Sequence, residues 1–280
     1  MLQQTQVKTV IPYFVNFVSK IPNLKILSTS SEKKILKLWE GLGYYRRAKN
    51  LHKSAKILIK KYHGKIPKDF KKIKELPGIG DYTANILLAL IYNQPRIGLD
   101  GNVKRVFSRL SNADSWSTEN LFETKRNDDL AEAFMEFGAL VCKPRDPRCD
   151  QCNIKKMCSY YKLKLKSKPK KQIKIKIKSY DIFCYLKKNS KQIALTKSNK
   201  LGFLKTFNLP KVKEISKRNK DWKFLCNYKN SISNKKLNIN LYYKFTLQIP
   251  SKYNWYSLDK NKEFIPTFTK KIIKQVSKLY

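Results

Sequence analysis

The sequence predicts two domains, an all-helical one followed by an α+β one, and three observations predict it. Apolar residues recur at helical spacing up to about residue 160, and strand-like alternation is almost absent there. The stretch KLKLKSKPKKQIKIKIK then sets nine lysines in residues 162–178 around a Ser-Lys-Pro break. Beyond it the apolar period becomes two. At 280 residues, two ordinary domains fit the length better than one. The predicted division is a helical domain over 1–160, a basic linker over 161–176 and an α+β domain over 177–280.

Val7, Val10, Ile11, Phe14 and Val15 stand at i, i+3, i+4, i+7 and i+8, which predicts an opening helix that buries them. No Ser, Thr, Asp or Asn precedes Met1 to cap a first turn, so MLQQTQVKTVIPYF reads as a helix already under way. Ser30-Ser31-Glu32 is a capping stretch for a short helix that ends near Gly41. A longer basic helix is predicted from about Tyr44 to Tyr62, with Ala48, Leu51, Ala55 and Leu58 inward and Gly64 as its stop. Further helices follow from Gly80 to Tyr92 and from Asp128 to Val141. In the second domain, Ile173, Ile175 and Ile177 predict one strand. The run Leu237, Ile239, Leu241, Tyr243, Phe245, Leu247 and Ile249 predicts another with one apolar face. Pro266 opens a closing helix that carries Ile272, Ile273, Val276 and Leu279.

Composition narrows the function classes. The apolar fraction of 41% is enough for real cores. No run of 18 apolar residues exists, which excludes a helical membrane span, and no leader with a small-residue cleavage site is present. The expected location is therefore cytoplasmic. A formal net charge of +41 points to a polyanionic partner, with nucleic acid first and an acidic membrane surface second. The plainer reading is a lysine-rich proteome, since most of the cations are Lys. Four of the six cysteines crowd into residues 142–158, and without an export signal a metal site explains them better than disulfides.

Cys142, Cys149, Cys152 and Cys158 form a C-x6-C-x2-C-x5-C array, whose four thiolates can enclose zinc or a [4Fe–4S] cluster. Zinc sites usually use two C-x2-C knuckles, and here there is one. Lys143, Arg145, Arg148, Lys155 and Lys156 make the same loop a plausible phosphate-contacting surface. Cys184 and Cys226 fit core or strand positions and read as packing. In LPGIGDYTA, Gly78 and Gly80 allow a tight turn that brings backbone amides to a helix N-terminus, where a phosphate can sit. Leu76-Pro77-Gly78-Ile79-Gly80 between apolar helices is the pattern of a helix-hairpin-helix DNA-binding element. In LDGNVKRV, Asp100 precedes a helix. An Asp there is usually an N-cap, but a carboxylate facing DNA can also stabilise a cationic sugar transition state.

These features, in this order, resemble the helix-hairpin-helix DNA glycosylases that carry an iron–sulfur cluster. LQQTQV, GLGYYRRAKNLH, LPGIGDYTA, LDGNVKRV and the cysteine array resemble the MutY-type adenine DNA glycosylases over nearly all of residues 1–160. The resemblance implies a base-excision enzyme, monomeric and active at the bacterial nucleoid. Its substrate would be double-stranded DNA containing A·8-oxoguanine or A·G mispairs, with the adenosine flipped from the duplex. It implies a [4Fe–4S] cofactor on the four cysteines. By the same resemblance Asp100 is the catalytic carboxylate, while Gln4, Leu42 and Tyr44 probe and wedge the duplex. Gly78 and Gly80 form the hairpin, and Glu132 lies near the adenine edge. Tyr82 stands where the related endonuclease III enzymes have a nucleophilic lysine, which favours hydrolysis over strand cleavage. The family's general-acid Glu matches no residue here, lying two positions before Met1. The chain as given is thus expected to bind lesion DNA but excise adenine poorly. Alternatives are an endonuclease III-like glycosylase/lyase and a non-catalytic lesion-binding protein.

The second domain resembles the MutT-like (Nudix-fold) domain of the same family through LGFLKTFNLP and IPTFTKKIIKQ. No hydrolase box of clustered glutamates is present. Paired glycines are missing near Leu204-Lys205, Tyr242-Tyr243-Lys244-Phe245 replaces the family's Phe-Ser-His, and the stretch between Leu110 and Asp128 is short.

Overall fold

A computed structural model describes residues 1–3, 5–111, 125–165, 176–197, 204, 208–214, 221–232, 235–259 and 264–280. Gln4, most of the basic linker with Ile173 and Ile175, and Lys205 lie outside the described residues. Contacts gather the chain into two units. One holds Asn23–Thr29 and Asn50–Lys170, the other Met1–Pro22, Ser30–Lys49 and Lys171–Tyr280.

The first unit is helical. It contains α2 (Leu24–Thr29), most of α4 (Arg46–Tyr62), α5 (Phe70–Lys74), α6 (Asp81–Tyr92), α7 (Gly101–Ser111), α8 (Asn127–Leu140) and α9 (Ser159–Lys162). Asp69 caps α5 by accepting from the Lys72 amide at 2.8 Å. Leu58, Ile73, Leu76, Ala84 and Leu88 form one core cluster, and Ile97, Val103 and Phe107 form a second with Phe134 and Met135. Burying Ile73 or Leu88 completely stabilises the unit by about 1.5–3 kcal/mol each. The α4 prediction needs one correction: Leu51 is 39% exposed, and His52 is buried instead. Ala48, His52 and Ala55 form the inward i, i+4, i+7 seam, and Leu51 falls one position off it.

The second unit joins the first helices to a mixed sheet. Here α1 (Val7–Lys20) and α3 (Glu32–Leu38) lie with β1 (Lys176–Lys187), β2 (Gln192–Leu195), β3 (Lys211–Glu214), β4 (Lys223–Ile232), β5 (Lys235–Phe245), β6 (Asn254–Ser257) and α10 (Thr267–Val276). The strand order is β4-β5-β1-β2-β6, with β3 pairing β1 off this path. β1 runs parallel to β5, with Ile182 opposite Leu241, and the other pairs are antiparallel. Alternation builds the core: Ile182, Cys184 and Leu186 meet Leu237, Ile239 and Leu241 beneath Phe268, Ile272 and Val276 of α10. The expected run stops short, because β5 ends at Phe245 and Leu247 is 75% exposed. Ile177 is also exposed, at 67%.

The opening segment departs furthest from expectation. The helix begins at Val7 rather than being under way at Met1, and its buried residues are Val10 and Phe17. Phe17 meets Trp39 edge-on at 6.0 Å, while Val7, Ile11, Phe14 and Val15 are more than half exposed. The apolar stripe is wider than the seam that packs on Trp39, and periodicity reports only the stripe.

Candidate functional site

The helical unit brings Asp100, Tyr82 and the hairpin glycines into one neighbourhood. Asp100 caps α7: its Oδ1 accepts from the Asn102 amide at 2.8 Å and the Val103 amide at 2.7 Å. The cap and the candidate chemistry are therefore compatible, since the two amides fix the carboxylate's orientation. The loop carrying it passes close over α6. A Cβ on Gly98 would lie 2.4 Å from Ile86 Cγ1 and 2.8 Å from Tyr82 Cε2, so only glycine fits there. Tyr82 donates its hydroxyl to Met135 Sδ of α8 at 3.2 Å. Burial, with the Asp100 charge second, pushes the Tyr82 phenol up, which keeps it protonated at neutral pH. Glu132 sits exposed on α8.

At the hairpin, Gly78 has φ +86° and a Cβ there would lie 2.8 Å from Asn50 Nδ2. Ser54 Oγ fastens the turn from α4 by donating to the Pro77 carbonyl at 2.9 Å. Gly80 is the N-cap of α6, and a Cβ on it would meet nothing within 4 Å. The space beside the N-terminus of α6 is thus open at Gly80, as the approach of an anion requires.

The four array cysteines line one hollow beside Val106, Arg109 and Tyr160. Among the described residues, no three His, Cys, Asp or Glu side chains form a group that could hold a metal ion. The four thiols nonetheless share this one hollow. Burial and then the three neighbouring cysteines push the Cys149 thiol up, which places the four sulfurs within electrostatic reach of one another. Two arginines escaped the sequence reading. Arg109, only 8% exposed, donates to Cys142 Sγ at 3.3 Å, to the Lys143 carbonyl at 2.7 Å and to Pro144 at 3.1 Å. Its guanidinium lies 4.6 Å over the Tyr160 ring. Arg105 reaches the Cys142 carbonyl at 2.9 Å, so α7, the helix that Asp100 caps, holds the cysteine loop. Their i, i+4 spacing beside Val103, Val106 and Phe107 was the available signal.

Leu42 and Tyr44 belong to the other unit. The paired tyrosines divide as two neighbours must: Tyr45 is buried and Tyr44 is 48% exposed. Leu42 is buried, beneath the turn. Tyr44 holds φ +48°, a left-handed conformation that costs a non-glycine residue about 1–3 kcal/mol. Arg47, also missed, supports it with a guanidinium 5.2 Å over the Tyr44 ring. The same group donates to the Met1 carbonyl at 2.7 Å, to the Gln3 carbonyl and to Thr5 Oγ1 at 3.1 Å. Met1, Gln3 and Thr5 are therefore neighbours of the exposed tyrosine through Arg47.

On this helical fold, a glycine hairpin precedes a helix capped by an aspartate. Residues 1–132 match the HhH-GPD superfamily base excision DNA repair protein family. Over 171 residues the chain is 42% identical to the adenine DNA glycosylase of Buchnera aphidicola subsp. Baizongia pistaciae, covering 58% of this chain and 49% of that protein. It is 37% identical over 171 residues to the adenine DNA glycosylase of Homo sapiens, covering 56% and 31%. The chain thus spans about half or less of the length of these relatives. A solved structure described as a trapped endonuclease III–DNA covalent intermediate, an estranged-adenine complex, matches with a TM-score of 0.50. It is 24% identical and covers 59% of this chain and 82% of that one, which is a likeness of fold. Among the described residues, no helix is long and apolar enough to cross a membrane.

Proposed function

We propose that the protein is a DNA glycosylase of base excision repair that hydrolyses the N-glycosidic bond of adenine paired with 8-oxoguanine or guanine in duplex DNA. The observation that carries this reading is Asp100, whose carboxylate is oriented by two helix amides beside Tyr82 and the hairpin. A fixed negative charge at that position stabilises the cationic sugar that forms as the base departs. The hairpin amides and the basic surface hold the duplex by its phosphates, while the exposed Tyr44 stacks against bases near the lesion. Tyr82 offers a protonated phenol and no amine, so a Schiff base with the sugar has no nucleophile at this position, which favours simple hydrolysis.

Cys142, Cys149, Cys152 and Cys158 would hold a [4Fe–4S] cluster. When bound, it would cross-link the loop that Arg105 and Arg109 tie to α7 and neutralise the crowding of four thiolates. We read the sheet of the second unit, with α10, as the MutT-like domain, here without the family's paired glycines and Phe-Ser-His. The test is single-turnover excision on an A·8-oxoguanine duplex compared with an A·T duplex. Any adenine release should be confined to the mispair. Asp100→Asn should lower the rate by about 10²–10³-fold without weakening duplex binding. Tight lesion binding with no release in the unaltered chain would instead make it a lesion-binding protein.

A further inference from the structure

Both ends of the turn that carries Tyr44 are fastened to the start of α10. At one end, Glu40 Oε1 accepts from the Ile265 amide at 3.0 Å, and Oε2 pairs with Lys270 at 3.2 Å and Lys37 at 2.8 Å. At the other end, the Tyr45 hydroxyl lies 2.9 Å from Thr267 Oγ1 and accepts from the Thr267 amide at 3.2 Å. The Tyr45 ring also meets Phe264 edge-on at 4.7 Å. Between these anchors, Gly41, Gly43 and Tyr44 all have positive φ, at 105°, 78° and 48°. Local preference does not choose such a backbone for Tyr44, so the anchors must impose it. Inside the turn, Trp39 Nε1 donates to the Gly43 carbonyl at 3.1 Å.

We propose that Glu40 and Tyr45 are positioning residues through which α10 sets the presentation of Tyr44 to DNA. The C-terminal sheet then governs lesion discrimination through a fixed contact, in addition to anything it touches itself. This rests on the reading of Tyr44 as a base-stacking probe. The coupling runs through hydrogen bonds that a single atom can remove. Tyr45→Phe deletes the hydroxyl and keeps the ring on Phe264, and Lys270→Met removes one charge from Glu40 at the far side of the contact.

The experiment has two arms, both on the full chain. Amide hydrogen exchange should speed up by about fivefold or more across residues 41–47 in each variant, because one lost hydrogen bond shifts local opening by that order. The ratio of affinities for A·8-oxoguanine and A·T duplexes should fall toward that of Tyr44→Ala. In a Tyr44→Ala background, Tyr45→Phe should then change the ratio no further. Unchanged exchange at 41–47, exchange that rises equally throughout β1 and α10, or fully additive losses in the ratio would each overturn the proposal. Should the unaltered protein show no preference between the duplexes, the assigned substrate is wrong. The exchange arm still decides whether α10 holds the turn.

Discussion

The two hairpin glycines make opposite demands on a side chain, although they sit two residues apart. Gly78 combines φ +86° with a blocked Cβ position against Asn50. Gly78→Ala should therefore destabilise the helical unit by about 1–3 kcal/mol, read as a lower midpoint in thermal unfolding. Gly80 has open space where a Cβ would stand, so Gly80→Ala should cost under about 1 kcal/mol. It should nevertheless weaken duplex binding, because the added methyl stands where a phosphate approaches the first amides of α6. Equal losses of stability in the two variants would contradict this account. Tyr44→Ala belongs at this scale as well. Removing an exposed ring that stacks should reduce preference for the A·8-oxoguanine duplex and leave the salt dependence of binding intact, since no phosphate contact is lost. Titrations of both duplexes at several salt concentrations check it.

Among the elements, legibility followed how local the determining physics was. Ser31 caps α3 through its Oγ and the Lys34 amide at 3.2 Å, as the sequence indicates, because a cap needs only neighbours three residues away. The start of α10 after Pro266 is legible for the same reason. The buried face of α1 was not, since a stripe of five apolar residues does not say which of them another element will meet. Leu247 misled in the same way: alternation continues beyond Phe245, but no partner strand does among the described residues. At the site, Asp100, the hairpin and the cysteines were legible as motifs. Arg47, Arg105 and Arg109 were not, because their partners are backbone carbonyls that carry no sequence signature.

The α10 anchor also has a pH signature. Burial alone would raise the Glu40 carboxyl, but Lys37, the Ile265 amide and Lys270 together outweigh it and hold the carboxyl below its ordinary 4.5. A carboxylate with a lowered folded value stabilises the fold above that pH and loses its contribution as pH falls through the folded value. Glu40→Gln should therefore lower the unfolding midpoint at about pH 6, and its difference from the unaltered protein should shrink as pH falls through the lowered carboxyl value. A difference that persists undiminished in acid would contradict the ion pairing.

For the whole molecule, a net charge of +41 makes salt the dominant variable in any binding measurement. With about six to ten phosphate contacts, duplex affinity should fall by about 10³–10⁵-fold between about 50 and 200 mM salt. A shallow slope would mean that most of these lysines never meet the backbone. The cysteine array acts at the same scale. Cys152→Ser should bleach the visible absorption of purified protein and lower solubility along with duplex affinity, because the loop it closes is roofed by α7. Stoichiometric zinc in colourless, fully active protein would overturn the cluster assignment.

The contact between Glu40 and Ile265 spans 225 residues of chain, and β1 pairs in parallel with β5 rather than with a hairpin neighbour. During synthesis, the helices between Asn50 and Leu140 can close their own cores as they leave the ribosome. The turn bearing Tyr44 cannot. It emerges early, waits without its anchors while the sheet is made, and takes its final form only when Thr267 has been translated. A ribosome that stops before that point releases a chain with a folded hairpin and an unformed probe. Such a fragment would keep the hairpin core and lack the contacts from Ile265 and Thr267 that hold the turn.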